Sequence, residues 1–168
     1  MIMRRYRRGI CILEKLSNKY DIEKIKSELF GLINEHGLFE DNQLSLQSPT
    51  DDWHYGCGWV SDKTDDHWNV INTDSNFEIT KFLLQEKLVR TRVLILHPKT
   101  CYTYHKDRTP RVHLAINTAP ACYHVTDKTC EHIPSDGYPY LLDTTQYHTA
   151  FNGTKNCKRI HLVGCQLL

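Results

Sequence analysis

The sequence predicts a mainly β domain, a jelly roll or sandwich, with helices supplied by its N-terminal part. Three observations lead there. From Val89 onward the chain breaks into short runs that alternate apolar and polar residues, the period of a half-buried strand. Turn formers such as Pro98-Lys99 and Asn152-Gly153 separate those runs. Before residue 89 the clearest pattern is helical, with Ile22, Ile25, Leu29, Leu32 and Ile33 on one face.

Taken in order, residues 1–18 are basic and then mixed. They read as a first strand over 9–16 or a loose end, with Arg4, Arg5, Arg7 and Arg8 in a solvated tail. Asp21 is placed to cap a helix over 22–35, and Gly37 to end it. Gln43 to Gln47 alternates as a short strand, closed by Ser48-Pro49. Residues 53–68 hold all three tryptophans among glycines and carboxylates. They read either as a substrate-binding loop or as a surface loop whose aromatics pack down onto the domain. Phe77 to Leu88 reads as a second short helix. Strands are then expected over 89–97, 101–105, 111–117, 121–125, 137–142 and 157–163. Within 111–117, Arg111, His113 and Ala115 share one face, and Val112, Leu114 and Ile116 the other. Arg159 and His161 oppose Ile160 and Leu162 in the same way.

Composition narrows the class. A length of 168 residues suits one domain, with helices, short strands and a loop over 1–88 and the β core over 89–168. A net charge of +1 gives no global pull toward nucleic acid. The seven cysteines include no Cys-x-x-Cys pair, so free thiols in a reducing, cytoplasmic setting are expected. The basic stretch from Met3 to Arg8 resembles the start of a signal peptide. Its apolar continuation stops at Glu14-Lys15, and no run is long enough to span a membrane.

The chemistry concentrates in two stretches. The first places His105-x-Asp107 just before Arg111-Val112-His113-Leu114, and the second places His148 before Arg159 on the last strand. Two imidazoles and one carboxylate with open positions are the ligand set of a non-haem Fe(II) oxygenase, and an arginine fork suits a carboxylate co-substrate. In that order of residues the chain resembles the aspartyl/asparaginyl β-hydroxylase-like branch of the 2-oxoglutarate and Fe(II)-dependent oxygenases, and the free-proline hydroxylases of that branch. The resemblance covers roughly residues 90–165.

It implies a double-stranded β-helix, the cupin-like jelly roll, with polar residues toward a central lumen. It further implies Fe(II) held by His105, Asp107 and His148, and 2-oxoglutarate bound by Arg159 with help from Arg111 and His113. With O₂, such a site would hydroxylate a C–H bond of an amino acid or of an Asp/Asn-type peptide residue. The resemblance leaves other readings of single residues open: a structural ion pair for Arg159 and a hydrogen-bonded interior histidine for His113. Tyr102, Tyr104, Lys106 and Arg108 are within reach of a substrate, and residues 53–68 are expected to border the pocket. Asp143 reads as a turn cap. Two other functions use the same residues: a binding module that holds a metal or small acid without turnover, and a zinc hydrolase.

Overall fold

The computed structural model describes residues 13–58 and 63–166. The arginine-rich start and Trp59 lie outside them. The described residues form two antiparallel sheets, two α-helices and a short 3-10 turn at Asp65–His67. The six-stranded sheet runs β1 (Glu14–Lys15), β8 (Tyr140–Leu142), β5 (Arg111–Asn117), β10 (Arg159–Gln166), β3 (Leu88–Leu96) and β2 (Gln43–Ser45). The four-stranded sheet runs β4 (Thr100–Cys101), β9 (His148–Asn152), β6 (Cys122–Thr126) and β7 (Cys130–Glu131). No helix among the described residues is long and apolar enough to cross a membrane.

The alternation in the sequence decides what each face of the large sheet does. Val93 and Ile95 of β3, Val112, Leu114 and Ile116 of β5, and Ile160 and Leu162 of β10 are buried in one apolar cluster. Helices α1 (Ile22–His36) and α2 (Glu78–Gln85) close that cluster with Ile25, Leu29, Leu32, Phe82 and Leu83. The opposite face carries Arg92, Arg111, His113 and Arg159, and it lines a cavity shared with His124, His148 and Ala150 of the small sheet. Period two therefore separates core from site along the same three strands.

Asp21 caps α1 as expected, its side chain accepting from the Lys24 N–H at 3.1 Å. Gly37, at φ 72°, ends the helix and donates to the Ile33 carbonyl. Helix α2 is shorter than its sequence pattern. Lys87 turns into the left-handed region at φ 53°, and Leu88 opens β3 instead of closing the helix. The start of α2 is capped from a distance: Glu28 of α1 accepts from the N–H groups of Glu78 and Ile79 at 2.8 and 3.0 Å.

Several strands differ from the sequence expectation: β8 covers only Tyr140–Leu142 of the expected 137–142, and β7 was not expected. The run over 101–105 is not one strand: β4 ends at Cys101, and a lone bridge joins His105 to His148. Strand β9 arises where the sequence showed turn residues, and β10 continues to Gln166. The cysteines at 57, 101, 122, 130, 157 and 165 are free.

Residues 53–58 and 63–68 are fastened to the body by aromatic contacts. Trp53 stacks on His36 at 4.1 Å, and Trp68 is fully buried beneath the Arg90 guanidinium at 4.9 Å. Gly56 sits at φ 96° so close to Trp68 that a Cβ there would meet the indole Nε1 at 2.5 Å.

Candidate metal centre and its anion pocket

The metal-ligand cluster is built by backbone pairing. His105 and His148 form an antiparallel bridge, N–H to carbonyl at 3.0 and 2.7 Å in the two directions. That pairing sets their imidazoles side by side, ring centroids 4.6 Å apart. Asp107 is fixed by its own N–H, which donates to the Thr144 carbonyl at 2.8 Å. Its carboxylate then faces His105 Nε2 at 4.0 Å and His148 Nε2 at 3.7 Å. One ligand atom from each residue lies within 4.8 Å of the others, a group able to hold a metal ion.

Both histidines are oriented in the same manner. His105 Nδ1 donates to the Thr103 carbonyl at 2.7 Å, and His148 Nδ1 to the Gln146 carbonyl at 2.9 Å. A carbonyl only accepts, so the proton sits on Nδ1 and the Nε2 lone pair is left for a cation. Asp107 is held from behind by Arg111, with Nε to Oδ2 and Nη2 to Oδ1 both at 3.2 Å.

Arg111 is thereby committed. Its Nη1 also donates to Asp65 Oδ2 at 3.1 Å and Thr109 Oγ1 at 2.7 Å, and it touches Cys165 Sγ. The sequence placed it as a helper for the co-substrate. In the fold its Nε, Nη1 and Nη2 all donate to protein acceptors, the Asp107 carboxylate among them. Asp65 in turn bridges Arg111 and Arg90, the latter at 2.8 Å. Burial alone raises the Asp65 carboxyl, but Arg111, Thr109 and Arg90 outweigh it and hold the group well below the usual carboxylate range.

Asp65→Asn should therefore strand the buried Arg90 guanidinium, leave Arg111 with Asp107 alone, and cost about 3–5 kcal/mol at neutral pH. The folded value lies below the unfolded value of about 3.9, so this contribution is complete above that pH. It fades as the pH falls further toward the folded value. Urea unfolding of both proteins at pH 7 and through the acid range checks this. A neutral-pH gap below about 1 kcal/mol would make Asp65 no more than a surface ion pair.

The cavity above the cluster has a volume of about 230 Å³. Arg159 lines it, only 2% exposed, with no carboxylate partner among the described residues. Its Nη2 is buried without a hydrogen bond, as are Tyr102 Oη, His124 Nε2 and His161 Nε2. Burial lowers Arg159 to about 10, with Tyr102 and Cys122 countering it. His124 is pushed down to about 3 by burial, then by His148 and Arg159. His113 and His161 are driven well below the ordinary histidine value by burial and by Arg159. Their Nδ1 atoms lie 3.4 Å apart. The arginine thus has neutral imidazoles around it and, among the described residues, no carboxylate to balance it.

All six residues singled out in the sequence, His105, Asp107, Arg111, His113, His148 and Arg159, line this one cavity. Lys106, Arg108 and Tyr102 line it too, whereas Tyr104 points away and stacks on Tyr147 at 5.6 Å. Asp143 caps its own turn, accepting from Thr145. From the tryptophan segment, Gly58 and Asp65 reach the cavity, while Trp53 and Trp68 serve as anchors. Sequence reasoning passed over His124 and Arg92, and took Asp65 only as one of the carboxylates of the segment bordering the pocket. For Arg92 a signal existed, since it alternates with Val93 and Ile95 on β3. His124 carried none, and nothing in the sequence tied Asp65 to Arg90 and Arg111. No family model matches this chain, and no curated protein matches it.

Proposed function

We propose that the chain is an Fe(II)- and 2-oxoglutarate-dependent dioxygenase with a jelly-roll (double-stranded β-helix) core, hydroxylating a C–H bond of an amino acid or of an Asp/Asn-type residue in a peptide. One observation carries the reading. A His/Asp/His cluster with one open side shares its cavity with a buried arginine whose Nη2, and a tyrosine whose hydroxyl, lack any partner. A buried unpaired guanidinium is costly unless a ligand satisfies it. A small diacid that chelates a metal with one end and meets Arg159 with the other fits this arrangement.

Fe(II) together with 2-oxoglutarate and O₂ would supply the oxidative hydroxylation, chemistry the side chains themselves lack. The chain's residues have separate tasks. His105, Asp107 and His148 would hold the metal on one face, leaving the others open. Thr103 and Gln146 fix both imidazoles through their carbonyls, and Arg111 fixes the carboxylate. Arg159 and Tyr102 would bind the far carboxylate, and neutral His113 and His124 wall the cavity without adding charge.

Anaerobic titration of 2-oxoglutarate into Fe(II)-loaded protein tests the binding half, and succinate formation in air tests the turnover half. Tight binding without succinate would favour a non-catalytic acid-binding module. Failure to bind 2-oxoglutarate at all would sink the proposal. A zinc hydrolase is disfavoured by Arg159, because hydrolysis of a neutral substrate needs no buried carboxylate anchor.

A further inference from the structure

We infer that the cavity holds a second anion site, built on Arg92, that takes a carboxylate of the primary substrate. For the identity of that substrate the inference rests on the oxygenase reading; the anion site itself does not.

Among the described residues, Arg90, Arg92, Lys106, Arg111 and Arg159 line the cavity with Asp65 and Asp107 as its carboxylates. A divalent metal and a dianionic co-substrate cancel, so they leave that surplus in place. Arg90 and Arg111 are matched by the two carboxylates. Arg92 has no carboxylate partner among the described residues. Its Nη1 makes two long contacts, 3.3 Å each, to Gln43 Oε1 and the Gly56 carbonyl. Its Nε is buried without a hydrogen bond. With Nη1 drawn to those carbonyls, the unpartnered Nε side of a planar fork suits a carboxylate.

Arg92 is separate from the Arg159 site. In the β3–β10 ladder Arg92 pairs with Val163 and Arg159 with Leu96. The two arginines therefore stand four residues apart along the sheet, about 13 Å at the rise of an extended strand. Gln43 and Gly58 line the cavity on the Arg92 side, bordering residues 53–68. One small diacid held at the metal and at Arg159 leaves Arg92 unmatched, and a second acidic molecule is needed to meet it.

Acetate is the minimal probe, and Mn(II) in the metal site reports its proximity by broadening the methyl resonance. With 2-oxoglutarate saturating, acetate should broaden in the parent and lose about tenfold or more in affinity in Arg92→Gln, the size of a charged hydrogen bond. Arg92→Lys should recover part of that loss. In Arg159→Gln, acetate binding should still depend on Arg92 even if 2-oxoglutarate no longer binds, so failure of the oxygenase reading leaves this result readable. Equal acetate affinity in the parent and Arg92→Gln overturns the site. Arg92-dependent binding of inorganic phosphate without acetate overturns the carboxylate assignment.

Discussion

His148→Ala is expected to abolish tight Fe(II) binding while the chain stays folded. Losing an outer-shell partner of a metal ligand already costs about 10–100-fold in affinity. Losing the ligand itself should exceed that. The strand need not unravel, because the bridge to His105 uses only backbone atoms, which alanine keeps. Asp107→Asn should be milder in shape but similar in direction, since the amide keeps a contact with Arg111 and loses the anion. Ferrous titration with circular dichroism on each variant separates metal loss from unfolding. Parent-like iron binding in His148→Ala would remove the triad.

The sequence made the ligands legible for a physical reason, and it hid their supports for another. His105 and Asp107 are two apart on an extended backbone, so their shared side follows from local geometry alone. The same period marks Arg111 with His113, and Arg159 with His161, as one face against the apolar residues between them. His148 was identified by order, but β9 was not foreseen. Asn152-Gly153 looks like a turn until β4 and β6 pair with Asn152 on either side. Pairing partners far along the chain decide such strands more than local propensity does. The occupation of Arg111 was equally invisible, because Asp65 lies in the loop segment and approaches only once Arg90 and Thr109 are folded around it. Glu28 capping the start of α2 is the same kind of event on the helical side.

Arg159 offers the sharper test, because its two possible roles predict opposite signs. If it anchors a co-substrate, Arg159→Lys should weaken 2-oxoglutarate by about 1.5–3 kcal/mol, on the order of 10–150-fold, with little change in Fe(II) affinity. A lysine carries the charge but not the planar fork. Arg159→Met goes further. In the ligand-free protein a buried guanidinium with an unpartnered Nη2 is a cost, so an apolar replacement of similar length should leave stability unchanged or raise it. The parent should gain stability from 2-oxoglutarate in the presence of a redox-inert divalent metal, about 2.7 kcal/mol at a hundredfold excess over its dissociation constant. The Met variant should gain almost none under the same conditions. A structural ion pair would behave in reverse: Arg159→Met would destabilise the ligand-free protein by several kcal/mol and leave the ligand response intact. Thermal or urea unfolding of both proteins, with and without the acid, reads the sign directly.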